Sequence, residues 1–249
     1  MLLAVDIGNT NISFGVFAEN NKIIRKFDIP SRSYLKTALA RKLKNCPKIS
    51  DSVICSVAPK LTSILARDLK SLTGRSPYII GKQLIVPIKN LYRIPKQVGS
   101  DRLVNAYAAC RLYKAPLIII DSGTAITFDV ISKRKTYLGG LIIPGMQISL
   151  EALHEKTALL PEVKLQQPKT FIGRDTKNSI LSGVIFGTAA LSKELAKRIK
   201  QYIGKNARVI GTGGNICLIK KYSGMKMKIN PELTLKGINL VYKNFKKNY

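Results

Sequence analysis

Two stretches of this chain repeat one pattern, and the repeat constrains the fold more than any other feature. LLAVDIGNTNISFGVF begins at Leu2, and LIIIDSGTAITFDVI begins at Leu117. Each is a short apolar run, then Asp-x-Gly, then a hydroxyl residue, then a segment of alternating character. A short apolar run before a turn reads as a strand buried on both faces, and period-two alternation reads as a second, half-buried strand. One Asp-x-Gly is common turn chemistry. Two of them, at Asp6 and Asp121, 115 residues apart, mark an internal duplication into two related halves. The period is too long for a solenoid repeat.

The segments between follow a strand-then-helix order. In the first half strands are expected near 2–5, 12–16, 23–29, 53–57 and 78–80, with helices near 34–43, 60–72 and 101–113. Residues 82–99 carry Gly81, Pro87, Pro95 and Gly99 within or beside them and read as a loop. In the second half strands are expected near 117–120, 126–130, 137–143 and 209–210. Helices are expected near 146–159, 177–202 and 233–245, with a turn at 211–214. This order gives α/β halves. The domains are expected at 1–115 and 116–249, with no low-complexity linker.

Of 249 residues, 45% are apolar and 22% charged, the balance of a folded chain rather than a disordered or collagen-like one. No run approaches the ~18 consecutive apolar residues of a membrane span. The apolar start has no basic region before it and meets Asp6 at once, so no secretory leader is expected and a cytoplasmic location is. Cys46, Cys55, Cys110 and Cys217 include no C-x-x-C pair, and His154 is the one histidine. Zinc sites and redox pairs need ligands at short spacing, so buried free thiols are expected. A Ser-His-Asp hydrolase is disfavoured by the same count.

The formal charge is +28, with 30 Lys and 12 Arg. Such a field attracts polyanions, or it reflects a solvated, Lys-rich surface. The basic residues are spread without a long run, which favours the second reading. Neither a specific nucleic acid nor a membrane is an expected partner. The field would still concentrate anionic small molecules.

Four turns carry residues suited to chemistry. In Asp6-Ile7-Gly8-Asn9-Thr10, Gly8 permits a tight turn and close backbone approach. The turn amides, Asn9 and Thr10 can donate to phosphate, and Asp6 can hold Mg²⁺ through oxygen; a plain Asx turn is the alternative. Asp121-Ser122-Gly123-Thr124 makes a second such turn. Two phosphate-binding hairpins suit phosphoryl transfer, which needs mostly positioning and charge neutralisation. Gly99-Ser100-Asp101-Arg102 opens a helix. Asp101 is either a first-turn helix acid paired with Arg102 or a base for an alcohol nucleophile, with Arg102 binding an anionic group. Gly211-Thr212-Gly213-Gly214-Asn215 lies between a strand and a helix, as an adenine platform or an ordinary turn. Asp129 lies on an alternating strand, at a surface position or near the site. A P-loop is absent.

With these residues the sequence resembles type III pantothenate kinases, of the acetate and sugar kinase/Hsp70/actin superfamily, over nearly the whole chain. The matching pieces are D-I-G-N-T at 6–10, G-S-D-R-L-V-N-A-Y-A-A at 99–109 and D-S-G-T-A-I-T-F-D at 121–129. They continue with G-G-L-I-I-P-G-M at 139–146, A-L-H-E-K-T-A-L-L-P at 152–161, G-T-G-G-N at 211–215 and L-T-L-K-G-I at 233–238. The Asp-x-Gly turns mark the superfamily; the G-x-D-R and G-G-x-I-x-P-G blocks in this order are more specific.

The resemblance implies an α/β fold of two ribonuclease-H-like, actin-like ATPase halves around a central nucleotide cleft. It implies ATP-dependent phosphorylation of pantothenate to 4′-phosphopantothenate, the first step of coenzyme A biosynthesis. ATP would be bound by Asp6, Ile7, Gly8, Asn9, Thr10, Asn11, Ile12, Ser13 and Thr124, with Asp6 near Mg²⁺. Asp101 would accept the proton of the pantothenate hydroxyl. Tyr92, Gly99, Ser100, Asp101, Arg102 and Thr176 would bind pantothenate. Asp121 would hold a monovalent cation, K⁺ or NH₄⁺, with Asp129 in support. The chain would be a homodimer with its interface in the second half. Shared folds host many substrates, so another phosphotransferase of the superfamily, or a non-catalytic basic regulator derived from it, stands beside this reading.

Overall fold

The computed structural model describes residues 1–247. The chain forms two compact units, Met1–Leu112 joined by the segment that starts at Glu232, and Tyr113–Pro231. The first contains β1 (Leu2–Ile7), β2 (Asn11–Phe17), β3 (Ile23–Pro30), α1 (Lys36–Leu43), β4 (Asp51–Ser56), α2 (Pro59–Thr73), β5 (Tyr78–Ile79) and α3 (Ser100–Leu112). The second contains β6 (Leu117–Ser122), β7 (Ala125–Ile131), β8 (Tyr137–Pro144), α4 (Met146–Glu155), α5 (Thr176–Ile203), β9 (Arg208–Thr212), α6 (Ile216–Ser223) and β10 (Lys228–Ile229). The last helix is α7 (Leu233–Lys247).

The two sheets are topological copies. The first runs β3-β2-β1-β4-β5 and the second β8-β7-β6-β9-β10. In both, the first three strands form an antiparallel meander and the last two run parallel to the opening strand. This is the ribonuclease-H-like arrangement expected of each half.

The apolar runs are central strands covered on both faces, which is why they show no alternation. Leu3, Val5 and Ile7 of β1 pack with Leu39 of α1 and with Leu65 and Leu69 of α2. Leu2 and Ala4, on the other face, pack with Val104 of α3 and with Leu235 and Ile238 of α7. In the second unit Ile118 and Ile120 pack with α4, α5 and α6 through Met146, Ile185 and Ile216.

The helix α7 departs from the expected domain boundary. The expected division leaves it in the second domain; its contacts put it in the first unit. Its apolar stripe, Leu235, Ile238 and Val241, completes the core over β1 and β4. Gly237 lets it approach α3 closely: a Cβ there would lie 2.7 Å from the Val104 carbonyl oxygen. Thr234 Oγ1 donates to Asn105 Oδ1 (2.8 Å) and the Tyr242 hydroxyl to Asp51 Oδ2 (2.6 Å).

Smaller departures have local causes. The expected helix at 34 begins at Lys36, because Tyr34 and Leu35 are extended and the Tyr34 hydroxyl donates to Asp68 (3.0 Å). The helix expected to reach 159 ends at Glu155; Thr157 Oγ1 caps the Leu153 carbonyl (2.7 Å). His154 Nδ1 meets the Leu160 carbonyl oxygen (3.0 Å), a structural contact. The short α6 and β10 are additions. The four cysteines are free, but only Cys55 and Cys110 are buried; Cys46 is half-buried and Cys217 exposed. Among the described residues no helix is long and apolar enough to cross a membrane.

Overpacking the Gly237 contact should loosen α7. Gly237→Val is expected to lower stability by about 1–3 kcal/mol, seen as a lower midpoint of cooperative denaturant unfolding. An unchanged midpoint would mean that α7 does not clamp the first unit.

Candidate active site

The first turn joins β1 to β2. Gly8 N donates to the Asn11 carbonyl (3.0 Å), and Asn9, Thr10 and Asn11 are exposed. Ile7 and Ile12 are fully buried in the core, so they offer a ligand backbone only. A residue that no sequence motif marked braces the turn from β3's end. Ser31 Oγ donates to the Gly8 carbonyl (2.8 Å) and Ser31 N to the Thr10 carbonyl (2.9 Å). The two bonds fix the Gly8 and Thr10 carbonyls.

Asp6 sits half-buried at the end of β1. Its register partners are Ser13 on β2 and Cys55 on β4, and Asp28 on β3 pairs with Ser13. Register partners share a sheet face, so Asp28, Ser13, Asp6 and Cys55 form one polar row. Ser13 Oγ donates to Asp28 Oδ1 (2.6 Å); Asp28 is a second carboxylate that motif reading missed.

The start of α3 adjoins this row. Ser100 Oγ donates to the Ser56 carbonyl (3.2 Å) and accepts from Cys55 Sγ (3.4 Å). Asp101 follows, with its Oδ1 buried and without a hydrogen-bond partner among the described residues. Burial, the largest influence, pushes the Asp101 carboxyl above its ordinary pKa, while the Arg102 backbone N–H and guanidinium pull it down. Gly99 packs against it: a Cβ there would collide with Asp101 Oδ1, so the carboxylate would have to move. Arg102 is buried. Asp6, Cys55, Ser100 and Asp101 are therefore brought together within the first unit. Tyr92 lies half-exposed on the loop before α3, its N–H donating to Asn90 Oδ1 (2.9 Å).

The second unit repeats the turn with other neighbours. Asp121, half-buried at the end of β6, has Thr127 of β7 and Thr212 of β9 as register partners. Gly213, at φ +86°, leaves no room for a side chain: a Cβ would strike Asp121 Oδ1 and lie 2.6 Å from Ser122 N. Gly145 N donates to the Thr124 carbonyl (3.1 Å), and a Cβ on Gly145 would come within 2.5 Å of the Gly123 carbonyl oxygen. The P-G pair at 144–145 is thus fitted to the D-S-G-T turn, and Thr124 is left exposed. Gly211 packs against Ile216 and Met227, so it serves the strand-to-α6 turn. Gly214 faces open space.

Asp129 is fully buried, which removes the surface alternative. The Tyr137 hydroxyl donates to its Oδ1 (2.8 Å) and Thr127 Oγ1 to its Oδ2 (3.5 Å). Thr176, exposed, opens α5 behind the Asp175 cap, whose side chain accepts from Asn178 N (2.9 Å). It lines a cavity of about 580 Å³ with Ile143, Ser149, Ile180 and Leu191.

Among the described residues no three His, Cys, Asp or Glu side chains converge on a point. The oxygens of the Asp6 row suit a hard divalent ion that also binds phosphate and water. Those of Asp121, Thr127 and Thr212 suit a hard monovalent ion.

A family model described as type III pantothenate kinase matches residues 2–198. This chain belongs to the type III pantothenate kinase family. A relative of that name from Persephonella marina is 40% identical over 252 residues, covering 97% of this chain and 98% of its own. One from Finegoldia magna is 38% identical, at 97% and 96% coverage. Solved structures with the same fold include a Campylobacter jejuni protein described as a conserved Baf family transcriptional activator. Its TM-score is 0.62 at 18% identity, covering 98% of this chain and 99% of that one. Component A of Acidaminococcus fermentans (R)-2-hydroxyglutaryl-CoA dehydratase has a TM-score of 0.57 at 13% identity, covering 100% and 99%. At those identities they bear on the fold alone.

Removing the brace should loosen the first turn. A typical net hydrogen bond of about 0.5–1.5 kcal/mol makes Ser31→Ala less stable by about that amount, read as a lower midpoint of denaturant unfolding. An unchanged midpoint would mean the brace does not hold the turn.

Proposed function

We propose that this kinase transfers the γ-phosphate of ATP to the hydroxyl of pantothenate, with Asp101 as the proton acceptor. Family membership supports the reaction. The observation that supports Asp101 is its bare, buried Oδ1 at the start of α3. Carboxylate oxygens without donors are rare in a protein interior; one left without a partner suits a substrate hydroxyl that must give up its proton. The product is 4′-phosphopantothenate, the first intermediate on the way to coenzyme A.

The turn braced by Ser31 binds the ATP phosphates through its amides, with Asn9, Thr10, Asn11 and Ser13 adding polar side chains. Thr124 supplies a further ATP contact. Asp6 holds Mg²⁺, which when bound offsets the charge on the phosphates. Asp121 holds K⁺ or NH₄⁺, flanked by the Thr127 and Thr212 hydroxyls, with Asp129 behind in support. Arg102 and Ser100 bind the polar groups of pantothenate. Gly99 makes room for the Asp101 carboxylate itself, and Tyr92 and Thr176 complete the substrate contacts. The protein acts as a cytoplasmic homodimer whose second units form the interface, and it needs no nucleic acid or membrane partner.

Two outcomes are expected. Asp101→Asn still binds ATP but loses turnover by about 10²-fold or more, since a positioned base contributes roughly 10²–10⁴-fold. Burial raises the Asp101 pKa, and below that pKa the carboxyl already holds a proton and cannot accept another. The acid limb of kcat against pH is therefore shifted upward from the ordinary Asp value in the wild type and is missing from the residual activity of Asp101→Asn. Near-normal turnover in that variant would reject the base. Turnover in matched buffers is likewise expected to be robust in K⁺ and low in Na⁺, with Asp121→Asn losing the difference. Equal rates in both salts would reject the cation site.

A further inference from the structure

We propose that Cys55 is a positioning residue, holding the Ser100 hydroxyl on the Ser56 carbonyl and so fixing the start of α3, which carries the proton acceptor Asp101. The inference rests on the assignment of Asp101 as base, and goes beyond it to a residue that touches no substrate.

The proton count on these groups leads there. Ser100 Oγ has one proton, directed at the Ser56 carbonyl at 3.2 Å. Its lone pairs face Cys55 Sγ at 3.4 Å, so the thiol is the donor. Cys55 is fully buried and pairs in register with Asp6. The thiol is thereby committed to Ser100, and the Ser100 proton to Ser56. Asp101 Oδ1 has no hydrogen-bond partner among the described residues.

The same bonds tie α3 to the end of β4. Ser56 is itself anchored, its Oγ accepting from Ala58 N (3.0 Å) and Thr62 Oγ1 (2.6 Å). The β4 end therefore fixes the starts of both α2 and α3. A position between two carboxylates must be small and neutral. It must also carry one donor, because a buried hydroxyl lone pair left unmatched destabilises its own orientation. A thiol meets all three conditions. Valine matches its bulk but lacks the donor; serine keeps the donor on a slightly shorter arm.

The test compares wild type, Cys55→Val, Cys55→Ala and Cys55→Ser in the full chain, with kcat and KM measured for ATP and pantothenate. Loss of one orienting bond is expected to lower kcat about threefold to tenfold in Cys55→Val, with KM for ATP within about twofold. Cys55→Ser is expected to recover kcat to within about twofold of wild type. The Cys55→Val/Ser100→Ala double variant is expected to turn over no more slowly than Ser100→Ala alone, since the thiol acts through that hydroxyl. Cys55→Ala serves if Cys55→Val fails to fold. A wild-type kcat in the valine or alanine variant overturns the proposal, as do equal losses in valine and serine or additive losses in the double variant. Wild type without pantothenate turnover would overturn the kinase reading itself, which the first control shows separately.

Discussion

A carboxylate on a doubly buried strand needs either a buried donor, as Asp129 has in Tyr137, or a place at the strand's tip, and both candidate turns use the second solution. β1 and β6 are sealed along Leu3–Val5 and Ile118–Ile120, where an unpaired charge would cost several kcal/mol. Asp6 and Asp121 follow those runs, half-buried, where one side still meets solvent. The glycine two residues later lets the chain turn away. The carboxyl ends of parallel strands are where open α/β sheets bind ligands, and each unit places its aspartate there.

The two halves keep this frame and differ in its lining. Around Asp6 the row is Asp28, Ser13 and Cys55; around Asp121 it is Ile142, Thr127 and Thr212. The first holds a second carboxylate and a thiol, the second hydroxyls and an aliphatic chain. The first lining carries two carboxylates with Asp6 counted, the second only Asp121. The chain has 14 acidic residues against 42 basic ones, so these acids stand in a strongly positive field that draws anionic substrates inward.

Local pattern carried much of the fold. The apolar runs before Asp6 and Asp121 identified the central strands because burial on both faces leaves no alternation. The G-S-D-R block identified the start of α3 because a helix-opening serine and first-turn acid are local chemistry. The partners stayed hidden. Ser31 looks like any serine after a proline, and its bonds to Gly8 and Thr10 cross more than twenty residues. Asp129 alternates with apolar neighbours as a surface residue would, yet the Tyr137 hydroxyl makes its burial tolerable.

The sequence by itself determined the duplication, the strand-turn-strand openings and the acids at their tips, since these follow from runs and turns a few residues long. Only the tertiary structure decided that α7 returns to the first unit, that Cys55 backs Ser100, and that Gly145 and Gly213 press on the second turn. An apolar stripe says that a helix must be covered, and a glycine that something comes close. Neither names the surface that arrives, because that depends on contacts between segments far apart in the chain.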